Sequence, residues 1–125
     1  KETLAEAHRW RKMFGGGMRQ SGVIAAAGLY ALEHNVDRLH DDHKRARRLA
    51  EAVNEIDGLS VKLDAVQSNI VFIGIEKGKT QEVIGALSKQ GVEILGIDDS
   101  TVRAVFHLHI TDEDVEKAIE AFAQI

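Results

Sequence analysis

From Val102 to Ile110 the sequence VRAVFHLHI alternates, so that Val102, Ala104, Phe106, Leu108 and Ile110 share one face of an extended chain. Arg103, Val105, His107 and His109 share the other. A helix cannot keep that set on one side. The stretch therefore predicts a sheet strand with one face on a core and an opposite face that is mostly polar. It is followed at once by Thr111 and Asp114, the spacing of a capping box, and by the stripe Val115, Ala118, Ile119 and Phe122 of a closing helix.

The helical period dominates earlier in the chain. Thr3, Ala7, Trp10 and Phe14 recur at helical spacing, with Gly15 placed to end the helix. Gly15 to Gly17 reads as a joint. QSGVIAAAGLYALE, Gln20 to Glu33, is apolar almost all round, which predicts a helix buried on most faces, with Gly22 and Gly28 admitting another backbone. Asn35 is placed to cap a third helix whose stripe is Val36, Leu39, His43, Ala46, Ala50 and Val53, leaving DDHKRARR to water. Asp57 and Gly58 end it.

Beyond Gly58 the period shortens. Leu59 to Leu63 alternates, and NIVFIGI, Asn69 to Ile75, has the β-branched content and length of a buried strand. Glu76 to Lys79 forms a turn, Thr80 caps a helix carrying Val83, Ile84 and Leu87, and Gly91 stops it. Val92 to Leu95 reads as a strand and Asp98 to Ser100 as a turn. The expected fold is α+β, with leading helices followed by a small, largely antiparallel sheet that carries helices on one side. The expected division is a helical segment over 1–34, including the glycine joint, and an α+β domain over 35–125.

Composition limits what such a chain does. With 125 residues and 44% hydrophobic content it can bury one modest core. Sixteen Lys and Arg against twenty Asp and Glu, with no basic block, argue against nucleic acid. The absence of cysteine removes disulfides, thiolate metal sites and cysteine nucleophiles. No apolar run is long enough to span a bilayer and the start is too charged for a signal peptide, so the chain reads as soluble with no membrane partner, while the lack of cysteine leans the reading towards a cytoplasmic location. The first residues form a helix without a convincing cap other than Thr3, and the sequence is expected to begin inside something larger.

Among chemistry-bearing residues Arg103 stands out. On the face opposite the apolar side chains, its guanidinium offers a rigid fork to a carboxylate; the plain alternative is a solvated arginine on an exposed face. His107 and His109 have the spacing to meet a metal from one strand, and His40 and His43 from one helix turn. Both pairs read better as ordinary surface or packing histidines, so no metal site is expected. The three glycines lack the spacing of a dinucleotide or P-loop motif, although Arg11, Lys12 and Arg19 around them suit a phosphate or another anion. Asp98 and Asp99 fit a turn better than an acid and base pair.

A longer pattern now becomes visible. RWRKMFGGGMRQSGVIAAAGLYAL, Arg9 to Leu32, resembles the segment after the cofactor-bearing lysine of low-specificity L-threonine aldolases, pyridoxal-phosphate enzymes of fold type I. NVDRLHDDHKRARRLAEAV, SNIVFIGI and VRAVFHLHITDEDVEKAI are similar to the long helix, the strand, and the closing strand and helix of their carboxy-terminal part. The resemblance covers essentially the whole chain. It implies the cofactor pyridoxal 5'-phosphate and cleavage of L-threonine or L-allo-threonine to glycine and acetaldehyde. By the same resemblance Arg103 matches the arginine that holds the substrate carboxylate. Arg19 matches an arginine that reaches the cofactor phosphate of a neighbouring subunit, in a homotetramer, and Lys12 a lysine near that phosphate.

Two departures accompany the match. Phe106 and His109 stand where the family's R-x-V-T-H-x-D-V-S has Thr and Asp, and His107 matches a histidine to which no role is assigned. The resemblance also places the Schiff-base lysine upstream, ahead of the helix in which this chain begins, so these residues alone are expected to be inactive. The expected partners are an amino-acid substrate and either further copies of the chain or the upstream portion. The competing reading is a non-catalytic α+β module that binds a small anion or amino acid, or serves oligomerisation.

Overall fold

The computed structural model describes residues 2–125. The chain divides into two compact units, Lys1–Val36 and Asp37–Ile125.

The first unit holds two helices, α1 (Glu2–Met13) and α2 (Gly22–His34). The α1 helix ends in a Schellman motif: Gly16 N–H donates to the Arg11 carbonyl at 2.7 Å and Gly15 N–H to that of Lys12 at 3.2 Å. Gly15 sits at φ +81°, a conformation that costs any residue with a Cβ. At Gly16 a Cβ would lie 2.8 Å from the Arg11 carbonyl oxygen, so this position is closed to side chains for a different reason.

The α2 helix corrects the sequence reading. Neither it nor α1 has a buried residue, and Val23, Ile24, Leu29, Tyr30 and Leu32 all lie open. A Cβ added at Gly22 or Gly28 would meet nothing within 4 Å outside its own helix backbone among the described residues. The apolar composition was read correctly, but burial needs a partner surface, and the described residues supply none. Asn35, expected to cap the next helix, instead closes α2 by donating its N–H to the Ala31 carbonyl.

The second unit is a two-layer α+β domain. Its antiparallel sheet has the order β1-β3-β2, from β1 (Ile70–Gly74), β2 (Leu95–Gly96) and β3 (Thr101–Val105). Three helices, α3 (Leu39–Asn54), α4 (Thr80–Ser88) and α5 (Asp112–Phe122), pack with one face of that sheet. The core joins Val71, Ile73, Val102 and Ala104 from the strands to Leu49, Val53, Leu87, Val115 and Phe122 from the helices. The α+β expectation holds.

Within α3 the buried stripe is Asp42, Ala46, Leu49, Ala50 and Val53, whereas His43 is exposed. Asp42 had been assigned to water. It is buried because Arg38, one turn earlier, grips both carboxylate oxygens at 2.6 and 3.1 Å, which satisfies the charge locally.

The strands are shorter than their patterns, and in each case local hydrogen bonds take the backbone first. Of Leu59–Leu63 only Ser60 pairs with Gly74, because Val61 N–H goes to the Asn54 side chain and Leu63–Ala65 turns into a 3-10 helix. Of Val92–Leu95 only Leu95 joins the sheet. A second Schellman motif, Gly91 N–H to Ser88 and Val92 N–H to Leu87, holds the segment back against α4. Thr80 does not cap α4; Lys79 occupies that position, and the buried Thr80 hydroxyl donates to the Asp98 carbonyl at 2.8 Å. The strand ends at Val105 and its last backbone bond to the neighbouring chain segment is from the Phe106 N–H to the Asn69 carbonyl at 2.8 Å; beyond it Leu108 is exposed in a turn.

The Thr111 capping box is present in both directions. Hydrogen bonds from the Thr111 N–H and hydroxyl hold the Asp114 carboxyl below its ordinary value. A group whose folded pKa is depressed contributes stability that is complete above its unfolded pKa and lost as pH falls through the folded one. Urea midpoints of the native chain and Asp114→Asn, measured across the acid range, are therefore expected to differ near neutrality and converge below the ordinary aspartate pKa. A gap that persists undiminished in acid contradicts this.

Candidate functional site

The face of the sheet turned away from the helices carries a row of three side chains. The register sets Phe72 of β1 opposite Arg103 of β3, and Arg103 opposite Leu95 of β2. Alternation then puts Ile70, Thr101 and Val105 on the same face. Phe72 and Leu95 are each about half exposed, 53% and 52%. This face is therefore mainly apolar, which corrects the polar face expected from β3 alone: neighbouring strands, invisible in its own pattern, set the character of the surface.

Arg103 lies partly buried at the middle of that row. Its Nε is shielded from solvent and has no hydrogen-bond partner among the described residues, and none of the ion pairs among them involves it. An orphaned N–H of this kind costs about 1–3 kcal/mol when nothing accepts from it. The arrangement is a cationic fork set in an apolar surface, with unspent donor capacity. A carboxylate is the acceptor whose shape and charge match it.

His107 and His109 do not extend this row. Both lie beyond the end of β3 in an exposed turn closed by the Ile110 N–H on the His107 carbonyl at 2.9 Å. His109 N–H donates to Nδ1 of His107 at 3.3 Å, and their rings meet edge to face with centroids 5.7 Å apart. A neutral His107 then carries its proton on Nε2. The two-residue spacing therefore reflects a turn and not a shared strand face. His40 and His43 are exposed on α3, and no cluster of three metal-ligating side chains occurs among the described residues.

Lys12 and Arg19 belong to the other unit. The Lys12 side chain folds back over the glycine loop, so that a Cβ on Gly17 would lie 2.9 Å from its Nζ. Arg19 is exposed, and neither cation takes part in an ion pair among the described residues. Two of the glycine N–H groups are occupied by the Schellman bonds, so the loop presents side-chain cations and not a ring of free amides. Next to Arg19, Gln20 adopts φ +52°, a left-handed conformation unusual for a residue with a Cβ. Nothing in the sequence signals that conformation, since glutamine is not a residue that favours it.

The model of the family described as beta-eliminating lyase matches residues 1–76. The chain belongs to the beta-eliminating lyase family. Among the chain's relatives is a probable low-specificity L-threonine aldolase 2 from Arabidopsis thaliana, 41% identical over 128 residues, a match covering 100% of the chain and 36% of the relative. A low specificity L-threonine aldolase of Escherichia coli strain K12 is 36% identical over 115 residues, covering 92% and 33%. The chain thus spans about a third of the length of these relatives.

Solved structures agree on the fold. The cystine C-S lyase C-DES superposes with a TM-score of 0.64 at 17% identity, over 82% of this chain and 28% of that one. The aminotransferase TlmJ from Streptoalloteichus hindustanus gives 0.58 at 17% identity, over 69% and 31%. The resemblance to threonine aldolases drawn from the sequence is matched by these relatives.

Proposed function

We propose that this lyase chain serves a threonine aldolase, in which L-threonine or L-allo-threonine is cleaved to glycine and acetaldehyde. The observation that carries the reading is Arg103, a partly buried guanidinium with an unmet donor, centred on an open apolar sheet face between Phe72 and Leu95. The names of the Arabidopsis and Escherichia coli relatives support it.

Arg103 binds the substrate carboxylate through paired N–H donors, which fixes the direction of the amino acid's Cα bonds. Phe72 and Leu95 limit water around that ion pair and so strengthen it. Holding the carboxylate in one orientation also fixes which Cα substituent is presented for cleavage.

The family reading implies pyridoxal 5'-phosphate, and the chain's residues fit its phosphate: Lys12 and Arg19 are cations without ion-pair partners among the described residues, beside a tight loop. When bound, that cofactor supplies the electron sink that allows an amino acid's Cα–Cβ bond to break. Lys12 and Arg19 would hold its phosphate by charge-assisted hydrogen bonds. The open apolar surface of α2 supports assembly with further protein, and a homo-oligomer is the partner we assign to it.

The full-length protein containing these residues, supplied with pyridoxal phosphate, is expected to release acetaldehyde from L-threonine, followed by coupling its reduction to NADH oxidation. The 125 residues by themselves are expected to release none. Turnover by the short chain alone, or no threonine cleavage by the full-length protein, overturns the reading.

A further inference from the structure

A second site lies on the helix side of the sheet. The β2–β3 ladder ends at Leu95 opposite Arg103, and no backbone bond joins Val92, Glu93 or Ile94 to β3, because Val92 is tied back to α4. The strands part there, leaving a pocket of about 340 Å³ between the 91–94 segment, the end of β3 and α5. That volume is in the range of small-molecule sites. Its walls include Val92, Ile94, Ala104, Phe106, Ile110 and Phe122.

The polar residues lining the pocket carry both signs of charge. Lys117 lies against Gly91, where a Cβ would sit 3.1 Å from its Nζ, and it takes part in no ion pair among the described residues. His109 also lines the pocket. Glu93 has one carboxylate oxygen committed to the Ser88 hydroxyl, and Asp114 has one committed to Thr111, which leaves a second oxygen on each. An apolar cavity bordered by a free ammonium and by half-used carboxylates complements a ligand with a carboxylate, an ammonium and an apolar body.

We propose that this pocket binds an apolar α-amino acid as its zwitterion, with the side chain toward Ile94, Phe106 and Ile110, the carboxylate on Lys117 and the ammonium on Glu93. The site is separate from the Arg103 face, since Ala104 and Phe106 point to the side of the sheet opposite Arg103. It stands whether or not the aldolase reading does.

The test is an amide NMR titration of the 125-residue chain with L-leucine up to about 20 mM, a range that captures millimolar sites. Saturable shifts at Gly91, Ala104, Phe106 and Ala118 are expected. Lys117→Met, an exposed substitution with little effect on folding, is expected to weaken binding by about tenfold or more, as loss of a charge-assisted contact does. Glu93→Gln is expected to weaken it less. 4-Methylpentanoate and isopentylamine, each lacking one charge, are expected to bind more weakly than leucine. Absence of saturable shifts, equal binding by Lys117→Met, or equal or tighter binding by either single-charge analogue overturns the proposal.

Discussion

Replacing Arg103 by methionine is expected to stabilise the isolated 125-residue chain by about 1 kcal/mol, because it removes a shielded N–H that has no acceptor while keeping an apolar stem of similar length. The same substitution in the full-length protein is expected to lower kcat/KM for threonine by about 30- to 1000-fold, corresponding to about 2–4 kcal/mol of lost charge-assisted contact. Stability and activity would then move in opposite directions. Urea unfolding of the short chain and steady-state kinetics of the long one check the two halves separately. An arginine that was merely solvated would give a small change in both, and Arg103→Lys separates charge from shape: a lysine restores attraction but not the paired donors, so only partial recovery is expected.

The largest loss of stability is expected from Phe122→Ala. Phe122 is fully buried on α5, in the same core as Leu49, Ile73 and Val115, and truncating such a ring costs about 3–5 kcal/mol from lost burial and the cavity left behind. Domains of this size have roughly 5–15 kcal/mol in total, so the variant is expected to be close to its unfolding midpoint under mild denaturant. Its thermal midpoint is expected to fall by about 15–30 °C. Leu108→Ala is the control, because that side chain lies exposed in the turn after β3 and its loss is expected to cost less than about 0.5 kcal/mol. Similar midpoints for the two variants would remove Phe122 from the centre of the core.

Features set by contiguous residues could be read from the sequence; features set by pairing could not. The capping box at Thr111, the helix stop at Gly91 and the strand around Val71 and Ile73 each rest on a few neighbouring residues, and all are present. Arg103 was equally visible, since alternation alone turns it away from Val102 and Ala104. Its surroundings were not. That Phe72 and Leu95 flank it follows from a three-strand register which no single segment encodes. The strand patterns at 59–63 and 92–95 were overruled by an asparagine side chain and a Schellman motif, bonds that period counting does not weigh. Asp42 was misplaced because a buried carboxylate is rare unless its partner lies one turn away, as Arg38 does.

Helices of 12 and 13 residues with no buried side chain gain nothing from tertiary packing, and at that length a solitary helix is only marginally populated in water. On the homo-oligomer proposed above, the order of the first unit becomes a property of assembly more than of sequence. Its helical content would rise with protein concentration or with a partner present, while the second unit, which has its own core, would keep the same signal throughout. On the oligomer and phosphate site proposed above, coupling of this kind would tie delivery of the Lys12 and Arg19 charges to the arrival of another chain, so that an unassembled copy would lack an ordered anion site.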